Sequence, residues 1–270
     1  MNDHLKQQVV VDNRTGAGGQ IAVQTVAKSA PDGYNILLGE VGSIAIAPAA
    51  FSKLPYDPAK ELIAVAEVAR ADFPLVVPTQ SPYKTAADFV KAARERPGLT
   101  NFATFGAATP GHFGAELFAS VSGSKIEPVH YRSTGDAISG IIGGDVQGAF
   151  VTTALGSARV KGGKMRAQAT TASVRSPLLP DVPTFAEAGM PKVDFSSWLA
   201  FFVPADTPAP IVQTLHRAIV ASTRDPEVSG KLGEAGFRVI GSSQADTDKM
   251  VRAELQRWGG VVKATGFKGD

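Results

Sequence analysis

The residues best placed to do chemistry lie in one segment, Asn101 to His112, where a strand pattern gives way to a helix pattern. A predicted strand ends at Thr104, small residues follow, and Pro110 stands where the next helix begins. Thr109 is then the predicted N-cap, with its hydroxyl and the nearby backbone N–H groups at the carboxyl end of the sheet. Free N–H groups and the positive end of a helix dipole attract anions. The segment therefore predicts either an anion-binding loop or an ordinary capped helix.

Other motifs that carry chemistry are weak or absent. The loop Gly16-Ala17-Gly18-Gly19 follows a predicted strand, but Ile21 stands where a dinucleotide-binding fingerprint needs its third glycine, which favours a structural turn. The four histidines lack metal-ligand spacing and cysteine is absent, so we expect no metal, no cofactor and no thiol chemistry. No serine lies in a nucleophile turn, and only a Ser-His-Asp triad assembled from distant residues stays open. We expect no catalytic residue.

Composition narrows the class of partner. The 270 residues carry a net charge of +2 without a dense Lys/Arg run, which argues against a nucleic-acid surface. No apolar stretch approaches the length that spans a bilayer, so we expect no direct membrane insertion. The candidate loops carry little charge, which suits binding through backbone dipoles and hydroxyl groups.

Short apolar runs alternate with Gly/Pro turns and helical patterns along the chain. This alternation predicts an α/β fold with parallel sheets covered on both faces. Thr85 and Thr207 are predicted N-caps, the second with Pro208 in the first helical turn. The predicted strands cover residues 9–11, 34–38, 63–69, 75–77, 101–104, 128–131, 148–152, 166–170, 198–203 and 238–240. The predicted helices cover about residues 86–95, 111–120, 136–142, 209–223, 226–234 and 247–264, with a further helical face from Ile21 to Ala27.

Two turn-rich regions predict crossings between two lobes. They are Arg96-Pro97-Gly98 and the Pro177–Pro191 segment leading to Trp198. Residues 1–98 and 204–270 then form lobe 1, and residues 99–203 form lobe 2. Two α/β lobes joined by double crossovers make a hinged clamshell with a ligand cleft between them.

A set of short motifs occurs in order along nearly the whole chain. It comprises Val9–Arg14 with the glycine loop, Ala30–Tyr34, Leu54–Pro58, Gly143–Val146, Arg175–Pro177, Leu179–Thr184, Glu187–Gly189, Pro204–Pro208 and Arg257–Gly259. Each motif is short, but the ordered set is specific. In this order it resembles the Bug-type solute-binding proteins of tripartite tricarboxylate transporters.

The resemblance implies a type II periplasmic-binding-protein clamshell and a function without catalysis. Such a receptor, expected to be a periplasmic monomer, captures a small carboxylate and delivers it to the membrane permease subunits of the transporter. In the family, a loop matching Thr104–Thr109 holds one ligand carboxylate, and the Gly39–Ser43 loop and the strand end at Thr152 line the cleft. The ligand-binding residues predicted on this basis are Gly42, Ser43, Thr104, Phe105, Gly106, Ala107, Thr109, His112 and Thr152.

Three departures from the family pattern carry further expectations. The chain starts near the end of the family's first helix, so we expect the signal peptide and the first strand–loop–helix unit to be lacking. Val151 replaces a frequent acidic residue, which favours plain carboxylates over amino acids. Phe105 replaces a small polar residue, which favours a ligand with an apolar or ring portion.

Two other functions remain as alternatives. The first is an α/β enzyme acting on small carboxylic acids or esters, with His112 and either Ser43 or Thr104 as the pair to test for hydrogen-bond reach. The second is a ligand sensor that signals to a partner other than a permease, through the same pocket.

Overall fold

The structure, a computed structural model, describes residues 1–96, 98 and 100–269. The helices are α1 (Asn2–Leu5), α2 (Gln20–Ala27), α3 (Ala47–Ala50), α4 (Pro58–Glu61), α5 (Ala86–Glu95), α6 (Pro110–Ser122), α7 (Thr134–Gly143), α8 (Thr153–Lys161), α9 (Ala209–Arg224), α10 (Pro226–Glu234) and α11 (Gln244–Thr265). A 3₁₀ turn at Ala17–Gly19 precedes α2, and a π-helical turn at Gly42–Ile46 precedes α3. The strands are β1 (Leu37–Glu40), β2 (Leu62–Asp72), β3 (Pro74–Pro78), β4 (Asn101–Thr104), β5 (Glu127–His130), β6 (Gly148–Phe150), β7 (Met165–Thr170), β8 (Ser196–Pro204) and β9 (Phe237–Val239).

The chain divides into two compact units, and this division differs from the predicted lobes. Unit 1 comprises Met1–Arg70 and Ser197–Asp270, and unit 2 comprises Ala71–Ser196. The first observed boundary follows Arg70, whereas the predicted one lies between residues 98 and 99. The difference arises because β3 pairs with β6 and β7, which places residues 71–96 in unit 2. The second observed boundary follows Ser196, whereas the predicted one lies between residues 203 and 204. Here β8 belongs to unit 1 because it pairs with β1. Pro97 and Leu99, next to the first predicted boundary, lie outside the described residues.

Unit 1 is built on a four-stranded sheet with the order β1-β8-β2-β9, in which β1 runs antiparallel to β8. Apolar residues of α9 recur at helical spacing and form one buried stripe that packs on β2 and β8. Burial of each such side chain stabilises the fold by about 1.5–3 kcal/mol. The packed residues are Val65, Val68, Val203, Val212, Leu215 and Ile219.

Unit 2 is built on a five-stranded sheet with the order β5-β4-β6-β3-β7. β4 runs parallel to β5 and β6, whereas β3 runs antiparallel to β6 and β7. The prediction of wholly parallel sheets is therefore wrong for β3, and also for β1 against β8. A crossover helix makes successive strands parallel, but β3 enters its sheet directly from β2 without one. Packed phenylalanine rings fill the core of this unit, namely Phe89, Phe102, Phe118, Phe150, Phe185 and Phe195.

Most predicted elements are confirmed, but one predicted strand and one predicted N-cap are wrong. The predicted strand at residues 9–11 is wrong, since Val10 and Val11 are 76% and 80% exposed and form no regular structure. An isolated β-branched run has no partner strand to satisfy its backbone. The predicted cap at Thr207 is also wrong, because Pro208 is the N-cap and the Thr207 hydroxyl donates to the carbonyl of Pro204 instead. Thr85 is confirmed as the N-cap of α5, in a capping box.

A close contact between α6 and the aromatic core gives a first test. A Cβ added to Gly114 would lie 2.2 Å from the Phe195 ring, whereas one added to Gly259 of α11 would meet nothing within 4 Å. We expect Gly114→Ala to lower the free energy of unfolding by about 1–3 kcal/mol because the core becomes overpacked. Gly259→Ala, the matched control, should raise it by up to about 1 kcal/mol through helix propensity. Urea denaturation measures both, and equal values for the two variants would contradict this packing.

Candidate functional site

The candidate site of unit 2 is the loop that joins β4 to α6. Because β4 is parallel to β5 and β6, the carboxyl ends of these strands meet at one edge of the sheet. α6 begins at this edge, and the Thr109 hydroxyl accepts the backbone N–H of His112 at 3.3 Å. Thr109 is therefore confirmed as the N-cap, with Pro110 in the first turn.

The loop backbone is held in an uncommon conformation. Gly106 has φ 115° and Ala108 has φ 59°, a left-handed conformation that costs an alanine about 1–2 kcal/mol. The Thr109 hydroxyl donates to the Gly106 carbonyl at 2.8 Å, which fastens the loop to the start of α6. Within the described part of the chain, the N–H groups of Gly106 and Ala107 have no hydrogen-bond acceptor. Two such donors beside a helix N-terminus can hold a carboxylate.

His112 lies beneath this loop with only 4% of its surface exposed. Its Nδ1 accepts the backbone N–H of Ala108 at 3.1 Å, so the ring proton is on Nε2. The ring stacks on Phe113 at 4.5 Å and meets His130 edge-on at 4.6 Å, measured between centroids. Burial, with a smaller effect from the charge of His130, lowers the pKa of His112 to about 4. Burial also lowers the pKa of His130.

Thr104, at the end of β4, is buried where the loop begins. Its side chain is fully buried, and its Oγ1 is hydrogen-bonded to Nδ1 of His130 at 2.6 Å. Thr104 is thus hydrogen-bonded to His130 and not to His112, which is the proposed base if the protein were an enzyme. A fully buried hydroxyl is a poor nucleophile for a substrate, so this pair argues for a structural role.

The structure brings the other predicted residues of unit 2 to the same edge. Ala107 and Thr152 are exposed, and Phe105 and Gly106 are half-buried. Thr152 lies shortly after β6 and is the N-cap residue of α8, but its side chain makes no capping hydrogen bond. α6 starts close to the end of β6, since a Cβ added to Gly111 would lie 3.7 Å from the Phe150 carbonyl oxygen.

Gly42 and Ser43, the predicted residues of unit 1, follow β1. Ser43 is 3% exposed, and its N–H donates to Oε1 of Glu40 at 3.0 Å. The Ser43 hydroxyl donates to the Glu40 carbonyl at 3.3 Å, and the Tyr56 hydroxyl donates to the Ser43 carbonyl at 2.6 Å. The predicted turn at the glycine loop is confirmed and lies alongside, since a Cβ added to Gly19 would be 3.4 Å from Cβ of Ser43. The polar groups of Ser43 are thus engaged within unit 1.

Glu40 lies in the Gly39–Ser43 loop and Tyr56 in the Leu54–Pro58 motif, but neither residue is among the predicted ligand-binding residues. Burial raises the pKa of Glu40, although the N–H groups of Gly42 and Ser43 oppose this shift. Burial and the charge of Glu40 raise the pKa of Tyr56. A glycine two residues after the carboxylate is the available sequence signal, because a Cβ at Gly42 would lie 2.5 Å from Oε1 of Glu40. No local pattern in the sequence predicts the hydrogen bond from Tyr56 to the Ser43 carbonyl.

The described residues contain neither a metal-ligand cluster nor a helix suited to crossing a membrane. No cluster of three or more histidine or acidic side chains there could hold a metal ion. No described helix is both long and apolar enough to cross a membrane.

Proteins of known sequence or structure resemble this chain over nearly its whole length. A family model described as "Tripartite tricarboxylate transporter family receptor" matches residues 1–267. Protein BugT of Bordetella pertussis is 32% identical over 271 residues, which cover 99% of this chain and 82% of BugT. A solved structure described as a periplasmic transporter is 30% identical with a TM-score of 0.83, covering 100% of this chain and 90% of that one. Rpa4515 of R. palustris with adipate is 31% identical with a TM-score of 0.83, covering 99% and 89% respectively.

Proposed function

Because the chain belongs to the receptor family of tripartite tricarboxylate transporters, we propose that it captures a small carboxylate in the periplasm and delivers it to the membrane permease. The similarity to BugT and to a solved periplasmic transporter supports the receptor function and the compartment. Rpa4515, whose structure holds adipate, supports a carboxylate as the class of ligand.

The observation that carries the proposal is the loop between β4 and α6. Its N–H groups at Gly106 and Ala107 lie beside the N-terminus of α6, and the segment Asn101–His112 contains neither lysine nor arginine. A carboxylate held by backbone N–H groups and the helix dipole needs no cationic side chain in the loop. In this proposal the half-buried ring of Phe105 and the exposed hydroxyl of Thr152 contact the rest of the ligand.

The remaining predicted residues have other parts in this proposal. Thr104, Thr109 and His112 hold the loop in place through the hydrogen bonds described above. For Gly42 and Ser43, in unit 1, ligand contact stays a prediction from the sequence. The receptor acts as a monomer and turns over no substrate.

A thermal melt with a panel of carboxylates tests the function. The panel contains adipate, malate, benzoate and glutamate, which separate aliphatic, hydroxylated, aromatic and amino-bearing acids. At 100 times its dissociation constant a ligand should add about 2.7 kcal/mol of stability. For a chain of this size that is a melting shift of roughly 5–10 °C. A flat response to every member would contradict a carboxylate ligand, and equal shifts with benzoate and malate would contradict a role for the Phe105 ring.

Delivery needs a separate assay. Uptake of the labelled ligand into vesicles that contain the permease should depend on added receptor. Uptake that is the same without the receptor would contradict this part of the proposal.

Two glycines with positive φ provide a matched pair of variants for the loop. Gly106 has φ 115° in the loop, and Gly144 has φ 85° at the end of α7, before the strand β6. Alanine strains the backbone at either position. We expect Gly106→Ala to weaken binding of the best panel ligand about tenfold or more, equivalent to at least 1.4 kcal/mol. Gly144→Ala should lower the melting temperature but leave the affinity unchanged, and titration calorimetry would expose the opposite pattern.

A further inference from the structure

The conformation of the loop between β4 and α6 depends on a backbone N–H that a side chain holds. Ala108 has φ 59°, a region that alanine seldom adopts, so something outside the residue must keep it there. Its N–H donates to Nδ1 of His112, four residues along the chain in the first turn of α6. The N–H of His112 is in turn held by the Thr109 hydroxyl. These two hydrogen bonds connect Ala108 and Thr109 of the loop to His112 of α6.

We propose that His112 is a positioning residue that holds Ala108 and thereby presents the N–H groups of Gly106 and Ala107 to the ligand. This inference rests on the proposed function of the loop as a carboxylate site. It replaces the direct ligand contact that the sequence predicted for His112.

Burial and packing suit His112 for this task. The ring is 4% exposed and is held between Phe113 of its own helix and His130 of β5. Only a ring with an unprotonated Nδ1 can accept the Ala108 N–H. Burial lowers the pKa of His112, and among the described residues the charge of His130 acts in the same direction. The acceptor is therefore present at neutral pH.

Two other roles for His112 make different predictions. If its Nε2 contacted the ligand, a glutamine could replace it, because the glutamine amide reaches the position of Nε2. If Nδ1 is the functional atom, asparagine is the better replacement, because its carboxamide oxygen lies near the position of Nδ1. A merely structural role in capping α6 would change stability in every variant without changing the affinity of the folded protein.

The experiment compares wild type with His112→Asn, His112→Gln and His112→Ala. Amide exchange at Ala108 is measured by NMR on the ligand-free protein, together with the nitrogen shifts of the wild-type imidazole. Affinity is measured by calorimetry with the carboxylate panel defined above. We expect Asn to keep a protected Ala108 amide and an affinity within about threefold of wild type. Gln and Ala should lose the protection and bind about tenfold or more weakly.

Several results would overturn the proposal. They are a protonated Nδ1 in the neutral wild-type protein, equal Ala108 exchange in all four proteins, a better rescue of affinity by Gln than by Asn, or unchanged affinity in the Ala variant. If no panel member binds the wild type, the proposed function fails. The NMR measurements then still decide whether His112 holds Ala108.

Discussion

Acidification from pH 7 to pH 4 should cost the protein about 3 kcal/mol of unfolding free energy through His112 alone. The pKa of this ring is about 4 in the folded chain, against about 6.5 for an unperturbed histidine. Between these values the unfolded chain binds a proton that the folded chain does not. This contribution to stability is therefore complete above about pH 6.5 and is lost as the pH falls towards 4.

The measurement is urea denaturation across this pH range for wild type and His112→Asn. The asparagine keeps an acceptor near the position of Nδ1 but does not titrate, so the difference between the two proteins isolates His112. The comparison is needed because burial raises the pKa of Glu40 and Glu116. Their contribution to the stability of the fold increases as the pH falls and therefore opposes the loss through His112. A wild-type stability that runs parallel to that of the variant from pH 7 to pH 4 would show that the folded ring titrates normally.

Replacing Glu254 with alanine should destabilise unit 1 by about 3 kcal/mol. One carboxylate oxygen of Glu254 accepts the indole N–H of Trp198 at 3.1 Å and that of Trp258 at 2.8 Å. Both indoles are fully buried, and the carboxylate also pairs with Arg257 at 3.4 Å. Alanine would remove the acceptor from two buried donors, and each such donor costs about 1–3 kcal/mol.

Two further variants separate this network from an ordinary ion pair. Glu254→Gln keeps a carboxamide oxygen for the indoles and should lose only about 1 kcal/mol. Asp248→Ala removes the exposed ion pair with Arg252 on the same helix, which should leave the stability close to that of the wild type because solvent screens the pair. Equilibrium unfolding followed by tryptophan fluorescence reports on all three. A Glu254→Ala loss no larger than that of Asp248→Ala would refute the network.

Elements with strong local signals were predicted almost to the residue. α5, α10 and β4 have the predicted bounds, and α6 begins at Pro110 under its predicted cap Thr109. Caps, prolines and apolar periodicity act over a few residues, so they can be recognised without knowledge of the rest of the chain. α8 lacks a comparable signal and was missed, since few of its residues are buried and its apolar residues follow no clear stripe.

Local chemistry and the order of short motifs were enough to predict the α/β class, the N-cap of α6 at Thr109 and the receptor family. The sequence did not predict the direction of β3, the bounds of the two units or the hydrogen bond between Thr104 and His130, because these depend on tertiary packing. Thr104 and His130 are 26 residues apart, and Trp198 and Glu254 are 56 apart. No local pattern selects such pairs, because packing within each unit chooses them from many side chains of similar chemistry.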